Sequence, residues 1–177
     1  MTFAELKQRV YVMRNGVLAD QLRAAGCPYR LIWGVSLPQI KEIARENGYD
    51  RDAAMLFFGL DSLRENFLTA VMLFPPDGLG RDDVAPWLDR MRWSEDADVL
   101  THTLLLGQPY ADEVAEELTR SDDRLRRYAG LRLYLGLVQR HPVESLAAAR
   151  REAERPDALS NLAAMLADEA TFWSEQD

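Results

Sequence analysis

Three short motifs in the first 65 residues constrain the fold more than any bulk property does. Thr2-Phe-Ala-Glu5, Ser36-Leu-Pro-Gln39 and Ser62-Leu-Arg-Glu65 each set a hydroxyl three residues ahead of a Glu or Gln. That spacing is a capping box: the two side chains satisfy backbone amides left free at a helix start. Apolar residues then follow at helical intervals, with Ile40, Ile43 and Ala44 after the second box and Phe67, Val71 and Phe74 after the third. Stop signals close these segments at Asn15-Gly16 or Gly26, at Asn47-Gly48 and at Pro75-Pro76-Asp77-Gly78.

The same style continues to the end. Helices are expected from Asp52 to Phe58, from Asp82 to Met91, from Ser94 to near Gly107, and from Tyr110 to Leu118. Ser121-Asp-Asp123 opens what reads as the longest helix, running to Arg140 before His141-Pro142. Segments 143–155 and 157–173 complete the set. No stretch alternates apolar and polar residues as a half-buried strand does. The chain is therefore expected to be all-α, with about nine or ten helices joined by short turns. Hairpins of this size cannot bury their apolar faces alone, so they stack as an α-α superhelix or gather into a compact bundle. No linker or low-complexity segment divides the sequence, so one domain over 1–177 is expected.

Composition narrows the function. The chain has 177 residues, 47% apolar and 28% charged, with a formal net charge of -8. Attachment to nucleic acid by bulk charge is disfavoured, because neutralising phosphates takes surplus Lys and Arg. The charge is segregated, however: residues 94–123 carry nine acids and one base, whereas 124–155 carry eight Arg and three Glu. A local basic face can arise only in the second of these. One cysteine and two histidines make a Cys/His zinc cage implausible, and no cofactor or metal is expected. No apolar run reaches the roughly 20 residues of a membrane span, and the start lacks a signal core. The expectation is a cytoplasmic protein.

Several blocks resemble a known family. Met13-Arg-Asn-Gly-Val17, followed by Tyr29-Arg-Leu-Ile-Trp-Gly-Val-Ser-Leu-Pro-Gln-Ile-Lys-Glu-Ile-Ala44, resembles the opening of the DNA alkylation repair family. Arg64-Glu65-Asn-Phe-Leu-Thr-Ala70 and Arg126-Arg127-Tyr-Ala-Gly-Leu131 resemble its next blocks, in the same order. That family comprises HEAT-like helical-repeat proteins whose founding members are alkylpurine DNA glycosylases. The resemblance implies a stack of helical hairpins and a groove that, in the active enzymes, is basic and holds DNA. It also implies a site made of a Trp, an Asp one helical turn later, a second Trp late in the chain and an Arg in the third block. A carboxylate stabilises the positive charge that builds on the sugar as the base departs. Aromatic faces attract a cationic alkylated base, and Arg grips phosphate as a fork.

Carried over residue by residue, the resemblance matches Trp93 to the first Trp and Arg127 to the Arg. The position four residues after Trp93 is Ala97, flanked by Asp96 and Asp98. One step along a helix turns a side chain by about 100°, so neither acid is equivalent. The late Trp has no match; Trp173 lies in an acidic tail. The candidate catalytic residue is thus at most Asp98, and the candidate groove residues are Trp93, Arg124 and Arg127. Each has a plainer role. Asp98 can complement a helix dipole, Trp93 can pack into a core, and the arginines can pair with acids on a solvated face. Cys27 and His102 read as inert. The leading reading is a non-catalytic scaffold with the fold of this family. An active glycosylase for alkylated purines in duplex DNA is one alternative. An acidic adaptor that binds a basic protein through 94–123 is the other.

Overall fold

A computed structural model describes residues 1–175. It divides into two compact units, Met1–Asp96 and Ala97–Asp177, and the boundary falls within a helix. In the first unit lie α1 (Phe3–Val12), α2 (Gly16–Ala24), α3 (Leu37–Asn47), α4 (Arg51–Phe58), α5 (Arg64–Leu73) and α6 (Val84–Arg90). The boundary helix is α7 (Ser94–Leu100), followed by a π-helical turn at Thr101–Leu105. The second unit continues with α8 (Ala111–Thr119), α9 (Arg124–Leu137), α10 (Pro142–Ala153) and α11 (Ser160–Ser174). Among the described residues the only β pairing is an isolated bridge between Leu31 and Leu63.

The first two capping motifs act as expected. Glu5 accepts from the Thr2 amide at 2.7 Å while the Thr2 hydroxyl accepts from the Glu5 amide. At α3, the Gln39 side-chain oxygen accepts from both the amide and the hydroxyl of Ser36. The third motif does not cap. Helix α5 starts at Arg64, and the Glu65 carboxylate points away from Ser62 into the interior. Other boundaries shift as well. Asp50 rather than Asp52 caps α4, α9 ends at Leu137, and α11, with 15 residues, is the longest helix.

In the first unit, α5 packs on α3 and α4, and α1 packs on α3. Its core gathers Leu6, Val10, Ile40, Ile43, Phe57, Leu68 and Val71, and a second cluster sets Trp87 against Phe58, Phe67 and Phe74. In α5 only Met72 escapes full burial, so its apolar periodicity is masked by buried Arg64, Glu65 and Asn66. In the second unit, α9 packs on α8, α10 and α11. Gly130 sits where α9 crosses α8: a Cβ there would lie 2.8 Å from the Thr119 backbone nitrogen. The core there is built from Leu104, Val114, Leu118, Leu131, Tyr134, Leu137 and Leu166.

Candidate functional site

The Trp33-Gly34-Val35 motif has a clear local purpose. Gly34 has φ +73, and a Cβ at that position would lie 2.1 Å from the Asn15 carbonyl oxygen, so only glycine fits. The turn aims three successive amides, from Trp33, Gly34 and Val35, at the Glu65 carboxylate, at 3.1, 3.0 and 3.1 Å. Consecutive amides around a left-handed residue form an anion-binding nest, and here the protein's own side chain fills it. Arg64 closes the network. It donates to Glu65 at 2.9 Å and to the Val35 carbonyl at 3.0 Å, and it grips Glu95 as a fork at 2.7 and 2.6 Å. The Arg-Glu pair of the second block is therefore an internal brace for the segment that leads into α7.

That segment carries Trp93 and Asp96. Asp96 is fully buried in the first turn of α7, and its Oδ2 accepts from the amides of Arg92 and Trp93 and from the Tyr29 hydroxyl at 2.9 Å. Its Oδ1 has no partner among the described residues. Burial pushes the Asp96 carboxyl up to about 6, against the lowering effect of those three donors. Burial, reinforced by the Asp96 charge, likewise raises the Tyr29 phenol. Trp93 is half-buried, and its indole nitrogen is enclosed without an acceptor among the described residues. Ala97, at the position where the resemblance implies an Asp, is fully buried.

Asp98 belongs to the second unit. Its carboxylate accepts from the Tyr128 hydroxyl at 3.0 and 3.1 Å and from Arg132 Nε at 2.6 Å. Burial and the Asp98 charge push the Tyr128 phenol up to about 12. Asp98, His102 and Arg132 line a cavity of about 220 Å³ beside the π-helical turn. The Thr101 hydroxyl donates to the Ala97 carbonyl at 2.7 Å there. His102 is exposed.

Arg127 turns the other way. It is 1% exposed, and it donates to Glu152 at 2.9 Å, to Asp157 at 2.7 Å and to the Asp122 carbonyl at 2.9 Å. Arg124 shares its face, as one helical turn requires, and its Nε donates to the Asp157 carbonyl. Tyr128 and Arg132 form the neighbouring face, which meets Asp98. The structure thus joins Arg124 with Arg127 and separates both from Asp98. Tyr29, Glu65 and Tyr128 stand within the quoted motifs but without the roles they take here, and Arg132 lies outside those motifs.

Elsewhere, Cys27 is buried and burial raises its thiol, which keeps it protonated and unreactive. Among the described residues no three His, Cys, Asp or Glu side chains gather to hold a metal, and no helix is long and apolar enough to cross a membrane.

This all-helical arrangement is a HEAT-like repeat fold. A solved protein, described as belonging to a new family related to the HEAT-like repeat DNA glycosylases with affinity for branched DNA structures, matches 99% of this chain and 78% of its own, with a TM-score of 0.83 and 16% identity. No protein-family model matches the sequence, and no curated protein matches it.

Proposed function

We propose that this chain is a DNA-binding helical-repeat scaffold without glycosylase chemistry. The observation that carries the reading is Ala97, a buried methyl between two acids that are both committed elsewhere. Asp96 is turned back on the amides ahead of its own helix, and Asp98 is held by Tyr128 and Arg132. A carboxylate already spent on strong donors offers little charge to a departing base. The fold shared with a protein of branched-DNA affinity makes branched DNA the first partner to try.

The charge pattern supports weak binding. Most arginines are neutralised internally: Arg9 pairs with Glu46, Arg45 with Glu42, Arg120 with Glu116 and Arg132 with Asp98. Arg127, the family-like Arg, is a buried clamp, and Arg124 leans on the same loop. Lys7, Arg30, Lys41, Arg140 and Arg150 are exposed and have no ion-pair partner among the described residues. Arg14, Arg51 and Arg124 are likewise exposed and outside any ion pair among the described residues, so eight cations can meet phosphates without breaking a pair, and log Kd against log salt should have a slope of no more than about 7.

The test has two arms. Base release from methylated duplex DNA is expected at background level, for the parent and for Asp98→Asn alike. Turnover that disappears in Asp98→Asn overturns the proposal in favour of a glycosylase. Binding to a four-way junction and to linear duplex, measured across salt, is expected to be detectable only at low salt and stronger for the junction. No binding at low salt leaves the adaptor reading.

A further inference from the structure

Helix α11 has one apolar face that the fold buries and, on another side, large apolar residues interleaved with acids. Ala163, Leu166 and Ala170 are buried and turn inward against α10 and α9. On another face, Met165 is 52% and Phe172 is 53% exposed. They stand seven residues apart, so they share a side of the helix, with half-buried Leu162 one turn before. Trp173 extends the patch, its ring edge-on to Phe172 at 5.2 Å. Large exposed apolar side chains grouped in this way mark an interaction surface.

The charge around the patch selects the occupant. Asp168 and Glu169 lie between Met165 and Phe172 on the same side of the helix, and Glu175 follows three residues beyond; all three are exposed, and none has an ion-pair partner among the described residues. Helix α11 contains no Lys or Arg. A second copy of the chain is a poor fit. A two-fold pairing of α11 would bring Asp168 and Glu169, near the helix centre, against their own counterparts, and like charges so placed oppose association. A helix with apolar anchors at three- and four-residue spacing and Lys or Arg along its flanks would satisfy both features.

We infer that the outer face of α11 docks a basic amphipathic helix of a protein partner, through Met165, Phe172 and the interleaved acids. This surface is independent of the DNA-binding reading. The parent chain would be titrated with two labelled synthetic helices of equal length, one patterned with Leu and Lys and the other with Leu and Glu, by fluorescence anisotropy. The Leu/Lys helix is expected to bind, with affinity falling as salt rises from about 0.05 to about 0.5 M. Phe172→Asp should weaken it about tenfold or more. Met55→Asp, in an exposed apolar residue of α4, should leave it unchanged. Replacing Asp168 and Glu169 together by Lys should reverse the preference toward the Leu/Glu helix. Equal binding of both helices by the parent, no binding of either, or insensitivity to Phe172→Asp overturns the inference. So does concentration-dependent dimerisation, by sedimentation, that Phe172→Asp abolishes, since a second copy would then be the occupant.

Discussion

Arg64 and Arg127 are two solutions to one problem. Each is a buried guanidinium held by two carboxylates, and each lies in a block that resembles the same family. Arg64 is 2% exposed; its partner Glu65 is fully enclosed and its partner Glu95 is half-buried, at 23%. Arg127 is as deeply placed, yet one partner, Asp157, is 54% exposed. The difference lies in what the carboxylates do besides neutralising charge. Glu65 also satisfies three amides of the Trp33-Gly34-Val35 turn, whereas Glu152 satisfies one, that of Leu159 at 2.9 Å. The first network is a hub whose members stand or fall together, and the second is a clamp with one side open to water.

The largest expected effect is at the hub. Glu65→Ala should cost about 3–5 kcal/mol, because it strands three amides at once and leaves buried Arg64 with Glu95 as its one remaining carboxylate. A shift in the denaturation midpoint no larger than that of a surface variant would break the contrast. Glu152→Ala should cost less, about 3 kcal/mol, since one amide and a partly compensated Arg127 are left behind.

Asp96 offers a sharper test of enclosure, through pH. Its folded carboxyl titrates near 6 against an ordinary value of 3.8. Between those values the folded state holds more protons than the unfolded, so stability falls as pH rises through that window and levels off above it. The contribution is about 2–3 kcal/mol, and it should vanish from the pH profile of Asp96→Asn. A parent profile that climbs from pH 4 to 6 with no difference in the variant would show that Asp96 is solvated after all. Asp157→Asn should give the smallest change. Its carboxyl is held below the usual range by the Arg127 hydrogen bond but is bathed in water, so its contribution is present above pH 4 and fades below. An effect rivalling that of Glu152→Ala would erase the distinction between clamp and hub.

The sequence foresaw what is local. Capping at Thr2 and Ser36 follows from a three-residue spacing, and the helix breaks at Gly26 and Gly48 follow from glycine's access to positive φ. The failures came where a local pattern competes with a distant partner. Ser62-Leu-Arg-Glu65 has the spacing of a capping box, but the nest at 33–35, some thirty residues back, offers Glu65 three donors instead of one. Arg127 fits a phosphate-gripping motif, but its carboxylates lie 25 and 30 residues downstream. Nothing in a linear pattern weighs such partners, because chain separation does not measure distance in space. The resemblance supplied the helical-repeat architecture, and the motif glycine at 34 acquired its reason only once the Asn15 carbonyl was seen beside it.

The π-helical turn after α7 has an evolutionary corollary. Such a turn closes its hydrogen bonds over one extra residue, and these elements are accommodated as single-residue insertions in α-helices. Deleting one codon there would swing the Asp96–Asp98 trio by about 100° relative to the residues that follow in the same helical run. This chain therefore has, within one frame-preserving step, a way to exchange which of three neighbouring positions faces a given direction.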